Sequence, residues 1–146
     1  MNQVPLPVSV KGVLFRIFNG TVEVLFLRND RDEWELPGGR PEANETPVEC
    51  LSREIFEETG LVVGVVSCIH NGVLTILPPH TPRATDVLIS AYGCYVKSPA
   101  DANVPVTLSS EHRAARWIRV ADLANLSDVP GIYKVAVLSW KRAIDL

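Results

Sequence analysis

Six glutamates and one arginine lie between Glu42 and Glu58, a local charge of −5 in a chain whose formal net charge is −3. The remainder therefore carries about +2, and one short segment concentrates the acid. At about 100° per residue, Glu54, Glu57 and Glu58 fall within roughly a 100° arc of one helical face. Like charges so placed repel by a few tenths of a kcal/mol per pair, on the order expected for helical neighbours. Glu57 and Glu58 also fall in a last turn, where the helix dipole disfavours anions. A solvated acidic face tolerates this arrangement. So does a site for a hard divalent cation, because Mg²⁺ takes a few carboxylates and completes its shell with substrate phosphates.

The elements that must position these acids are legible nearby. Thr46-Pro47-Val48-Glu49 reads as a capping box with proline at the first helical position. Gly60 stands where a helix ends in a left-handed residue. Between them, Val48, Leu51 and Ile55 recur at steps of three and four and predict a core-facing stripe for a helix over Pro47–Thr59. Upstream, Trp34-Glu35-Leu36-Pro37-Gly38-Gly39 contains a turn whose bare backbone can approach a ligand closely.

Strands are expected over Val8–Phe18 and Val22–Leu27, joined by the hairpin dipeptide Asn19-Gly20. Further strands are expected at Leu61–Leu77, with a bend near Asn71-Gly72, at Thr85–Val96 and at Arg113–Val120. Lys97–Ser110 reads as a long loop and Ile132–Ala143 as a closing helix. The pattern predicts an α/β fold, a mixed sheet between helices.

From Gly39, five residues lead to Glu45 and seven more to Arg53-Glu54, followed by Ile55-Phe56-Glu57-Glu58-Thr59-Gly60-Leu61. This stretch, residues 39–61, resembles the Nudix box of the Nudix hydrolase superfamily at all nine specified positions. The resemblance implies an α/β/α sandwich and hydrolysis of a nucleoside diphosphate linked to another group. That group would be a sugar, as in nucleotide sugars or ADP-ribose, a second nucleoside, as in dinucleoside polyphosphates, or the phosphate of a nucleoside triphosphate. It implies Mg²⁺, with Mn²⁺ as the alternative ion, held by Glu54, Glu57 and Glu58 and by the backbone carbonyl of Gly38. Arg53 would orient the glutamates, and Gly39 and Glu45 would support them.

Outside the box, Glu111 in Ser109-Ser110-Glu111-His112-Arg113 matches the place of a loop glutamate in many members. It is expected as a further metal ligand or as the general base. The expected catalytic residues are thus Arg53, Glu54, Glu57 and Glu111. Trp34 could stack on a base or simply pack, and His112 reads as structural or exposed. Pro78 and Pro79, 17 and 18 residues beyond Leu61, fall near a proline of ADP-ribose hydrolases. Ile76 and Leu77 stand where dinucleoside polyphosphate hydrolases often have tyrosine. A non-catalytic nucleotide sensor of the same fold is the alternative function, although such modules usually lose box glutamates that this chain keeps.

Length and composition bound the rest. The 146 residues, 47% hydrophobic and 21% charged, suit a single domain over 1–146. The absence of a basic excess argues against general nucleic-acid binding and for a small-molecule nucleotide as partner. A homodimer is compatible with the sequence. Met1–Pro7 lacks a basic start and an apolar run, and glycines and prolines interrupt the uncharged stretch Thr59–Pro82. Neither a signal peptide nor a membrane span is expected. Cys50, Cys68 and Cys94 lack paired spacing and His70, His80 and His112 lack ligand spacing, so free thiols in a reducing cytoplasm are expected.

Overall fold

In the computed structural model, which describes residues 6–77 and 83–146, the first apolar run is two strands rather than one. β1 (Val8–Val13) and β2 (Phe15–Phe18) belong to different sheets, and the chain passes between them at Leu14. Leu14 is fully buried and its carbonyl accepts from the Leu25 N–H at 3.1 Å. No turn residue marks the switch, since Val13, Leu14 and Phe15 are all apolar, although Ile17 and Phe18 beyond it are exposed. Asn19 and Gly20 both have positive φ, 50° and 77°, as the tight turn into β3 (Thr21–Arg28) requires.

The remaining elements are β4 (Trp34–Glu35), β5 (Gly38–Gly39), α1 (Pro47–Thr59), β6 (Val63–Ile76), β7 (Thr85–Val96), β8 (Ala114–Arg119) and α2 (Gly131–Ala143). Short 3-10 turns cover Pro99–Asn103 and Val120–Asn125. One sheet has the order β5-β1-β7-β6 and is mixed, since β1 runs parallel to β7 while its other pairs are antiparallel. The second is antiparallel and centred on β3, with β8 along one edge and β2 and β4 on successive lengths of the other. The expected bend in β6 comes earlier than Asn71-Gly72, as register shifts between Val65 and Ser67 and between Cys68 and His70. Met1–Pro5, Pro78, Pro79 and His80, and the readings that rested on them, lie outside the described residues.

Successive residues of β3 show how the layers stack. Val24 and Phe26 pack with Tyr133, Ala136 and Val137 of α2, while Leu25 packs with Cys50, Leu51 and Ile55 of α1. Alternate side chains of a strand point to opposite faces, so the helices cover opposite sides of the strands. This is the expected α/β/α layering, built from two four-stranded sheets. One residue of the α1 stripe is corrected: Val48 is 47% exposed, and Cys50 is buried in its place. Val48 sits in the first turn, and Cys50, four residues from the N-cap Thr46, is the first position turned inward, its thiol donating to the Gly39 carbonyl.

Candidate active site

α1 carries the acidic cluster, and its ends are fixed as expected. Thr46 accepts from the Glu49 N–H, the Glu49 side chain returns the bond to Thr46, and Gly60 closes the helix through its N–H to the Phe56 carbonyl. Against this helix lies β5, whose Gly38 and Gly39 pair with Lys11 and Val10 of β1. Both glycines are there for closeness. Gly38 has φ of 146°, and a side chain on it would run into the Val10 carbonyl. A Cβ on Gly39 would stand 2.5 Å from Cδ of Glu54. The bare backbone of the Pro-Gly-Gly turn thus abuts the Glu54 carboxylate itself.

Arg53 organises one half of the cluster. Its Nε and Nη2 donate to the two oxygens of Glu45 at 2.7 and 2.9 Å, and its Nη1 donates to Glu54 at 3.0 Å and to Glu57 at 3.2 Å. Those hydrogen bonds bring the Glu45 carboxyl down to about 2 and hold the guanidinium charged. Burial pushes the Glu54 carboxyl up, Arg53 opposes the shift, and the charges of Glu57 and Glu111 add to it. Glu111 is exposed, and its charge is the smallest of the influences on the Glu54 carboxyl.

The other half is Glu58, which is buried. The Gly38 N–H donates to its Oε1 at 2.8 Å, and His112 Nδ1 lies 3.5 Å from its Oε2. Burial pushes this carboxyl up to about 7, against the pull of Lys11, Gly38 and His112.

Behind it stands a group of residues for which the sequence reading made no case. His112 Nε2 is 2.8 Å from Glu35 Oε1, and Asn29 Nδ2 donates to Glu35 Oε2 at 3.3 Å. Lys11, also buried, places its Nζ 3.8 Å from Glu35 Oε2. Burial acts to raise the Glu35 carboxyl, but the Lys11 charge and the bonds from His112 and Asn29 outweigh it and hold it at about 2. One sequence signal pointed here. Lys11 is the lone charge in an apolar strand, and a buried ammonium needs a buried partner. His112 is buried, not exposed.

Trp34 packs against the α2 side of the core, with the Arg28 guanidinium 5.1 Å from its ring centroid. Cys50, Cys68 and Cys94 are free, and among the described residues no helix is long and apolar enough to cross a membrane.

Among the described residues no three acidic, histidine or cysteine side chains are already gathered as a closed cation cage. Arg53 draws Glu54 and Glu57 to itself, and Gly38 and His112 hold Glu58. The donor set nonetheless fits a hard divalent ion. It consists of carboxylate oxygens, the ligand type such ions take, and it includes a buried carboxylate whose ionisation a cation would favour.

The NUDIX domain model matches residues 8–137. A bis(5'-nucleosyl)-tetraphosphatase from Mus musculus is 26% identical over 113 residues, covering 75% of this chain and 72% of that protein. A MutT-like protein from Streptomyces ambofaciens is 45% identical over 58 residues, 40% of this chain. The chain spans only 36% of that protein and 23% of an octanoyltransferase from Myxococcus xanthus that it also matches. Among solved structures, a MutT protein from Methanosarcina mazei has a TM-score of 0.72 at 22% identity, with both chains fully covered. A C. elegans Ap4A hydrolase complex has a TM-score of 0.74 at 17% identity, covering 96% of this chain and 98% of that one. The family match spans most of the chain and the fold agrees with it, so the chain belongs to the NUDIX domain family.

Proposed function

We propose that this chain is a divalent-cation-dependent hydrolase that cleaves the pyrophosphate linkage of a nucleoside diphosphate joined to another group. The observation that carries this reading is the Arg53 fork, which joins Glu45, just before α1, to Glu54 and Glu57 on the helix, beside the backbone of Gly39. Glu54, Glu57, Glu58 and Glu111, with the Gly38 carbonyl, would hold Mg²⁺ or Mn²⁺. When bound, the cation neutralises phosphate oxygens and lowers the pKa of the attacking water.

The chain's own residues do the positioning and the proton transfer. Arg53 keeps the carboxylates of Glu54 and Glu57 side by side, so less ordering remains when substrate arrives. Glu111, an exposed carboxylate whose charge acts on Glu54, is the proposed general base that takes the proton of water. Trp34 is the proposed residue to stack on a base, on the ring face that Arg28 does not cover. The likeness to the mouse tetraphosphatase makes dinucleoside polyphosphates the first substrates to try, ahead of nucleotide sugars, ADP-ribose and nucleoside triphosphates. The free thiols support a reducing, cytoplasmic setting.

The test is a panel of these nucleotides incubated with Mg²⁺ and with excess chelator, followed by chromatography of the products. Cleavage of at least one class, abolished by chelator, is expected. Full turnover in chelator, or no cleavage of any class, overturns the reading.

A further inference from the structure

We propose that Glu35 and His112 form a positioning pair that sets the carboxylate of Glu58 for the cation, a role that rests on the metal-dependent reading above. Four separate segments meet to build the pair. Lys11 comes from β1, Asn29 from the end of β3, Glu35 from β4 and His112 from the turn before β8. Glu35 is the fixed point. Asn29 and Lys11 hold its Oε2, with Arg31 Nη2 at 3.7 Å, and Oε1 is left for the imidazole. Asn29 is fixed in turn, because its Oδ1 accepts the N–H groups of Arg31 and Glu33 at 2.9 and 3.1 Å.

The imidazole is anchored at one nitrogen only. Nε2 is 2.8 Å from Glu35, while Nδ1 is buried, makes no hydrogen bond and lies 3.5 Å from Glu58 Oε2. A buried ring nitrogen without a partner is costly, and a histidine kept only to fill space would be replaced at less cost by an apolar side chain. Among the described residues the carboxylate facing Nδ1 is that of Glu58, whose other oxygen Gly38 already holds. The carboxylate therefore sits between a backbone N–H on one side and an oriented imidazole on the other. A glutamate side chain has three rotatable bonds, and fixing them beforehand lowers the entropy lost when an ion is bound. Carboxylate–histidine pairs behind metal ligands act in this way.

The experiment is a Mn²⁺ titration of the nucleotide-free chain, followed by electron paramagnetic resonance, alongside the Mg²⁺ dependence of turnover. Replacement of His112 by alanine is expected to weaken Mn²⁺ binding about 10- to 100-fold. The accompanying loss in kcat should shrink as Mg²⁺ is raised. His112→Asn, whose amide can stand where Nδ1 stands, should recover part of the affinity. Glu35→Gln should weaken binding as well, and the double variant should bind no more weakly than His112→Ala, because both act through one carboxylate. Circular dichroism melts establish that each variant is folded at the assay temperature. If His112→Ala does not fold, His112→Asn and Glu35→Gln carry the test. Folded variants that bind Mn²⁺ like the unsubstituted chain overturn the positioning pair. An unsubstituted chain that binds no Mn²⁺, or a Glu58→Gln variant that binds it equally well, overturns the proposed function instead.

Discussion

Arg53 and Glu45 are joined by two parallel bonds of 2.7 and 2.9 Å, and this fork leaves Nη1 of Arg53 facing Glu54 and Glu57. The guanidinium is planar, so fixing two of its nitrogens fixes the direction of the third. Lysine keeps the charge but offers no such fork. Arg53→Lys is therefore expected to lower kcat/KM roughly 10²-fold, the scale of a small misplacement of reacting groups. Steady-state kinetics on the substrate found by the nucleotide panel checks this, and an unchanged kcat/KM would put Arg53 outside the working site.

Glu57→Gln and Glu58→Gln should each lower kcat by on the order of 10³-fold, since a lost cation ligand removes several kcal/mol of charge stabilisation. The two should differ in stability. Glu57 is exposed and its replacement should leave the melt unchanged. Glu58 is buried with its carboxyl pushed up to about 7, so its amide should fold at least as stably at neutral pH. A thermal melt beside the kinetic assay separates lost function from lost fold.

Glu111→Gln tests the exposed carboxylate. As the base, it should cost roughly 10²- to 10⁴-fold in kcat with KM little changed. If Glu111 only ligates the ion, added Mg²⁺ should restore the rate.

Gly39→Ala should damage activity out of proportion to stability. The new Cβ would press on the Glu54 carboxyl, 2.5 Å from Cδ, and that side chain must move out of the grip of Arg53. We expect kcat to fall at least as far as for Arg53→Lys while the melt shifts by only a few degrees. Gly38→Ala differs, because its Cβ meets the backbone of β1, and it should destabilise the chain outright.

Acid stability follows from Glu35. Its carboxyl is near 2 in the folded chain and near 4.5 when unfolded, so the unfolded state binds more protons between those values. The stability this supplies is complete above about pH 4.5 and disappears as pH falls through about 2. The two-and-a-half-unit difference corresponds to about 3 kcal/mol. Urea unfolding at several pH values should show that slope, and Glu35→Gln should flatten it. At neutral pH the same variant should be less stable by roughly 3–5 kcal/mol, because Lys11 is left buried without its carboxylate.

What was legible in the sequence was local. α1 announced itself through Thr46, Pro47, Glu49 and Gly60, all within a few residues of the bonds they make. Arg53 and its glutamates were legible through the likeness of residues 39–61 to the Nudix box, and helix geometry accounts for its i, i+4 bond to Glu57. The exit from one sheet to the other at Leu14 was not legible, because no turn residue marks it. Nor was the Glu35–His112 bond, whose partners are 77 residues apart and meet only once β4 and β8 have both paired with β3. Val48 was misassigned for a related reason. Periodicity gives the direction of a helical face, but not where along the helix its contact with the sheet begins.

The passage at Leu14 fixes the number of residues the chain can carry between its two sheets. β1 is held in register by β5 and β7, and β2 by β3, with a single residue to span the gap. One residue more or less would force either strand to slip by one place, and a one-place slip turns every side chain of that strand to the opposite face. Lengthening the Pro99–Val106 stretch of the connection between β7 and β8 shifts no strand pair. Insertions should therefore accumulate there and be purged between Val13 and Phe15, a pattern that selection for folding alone would write into this chain's descendants.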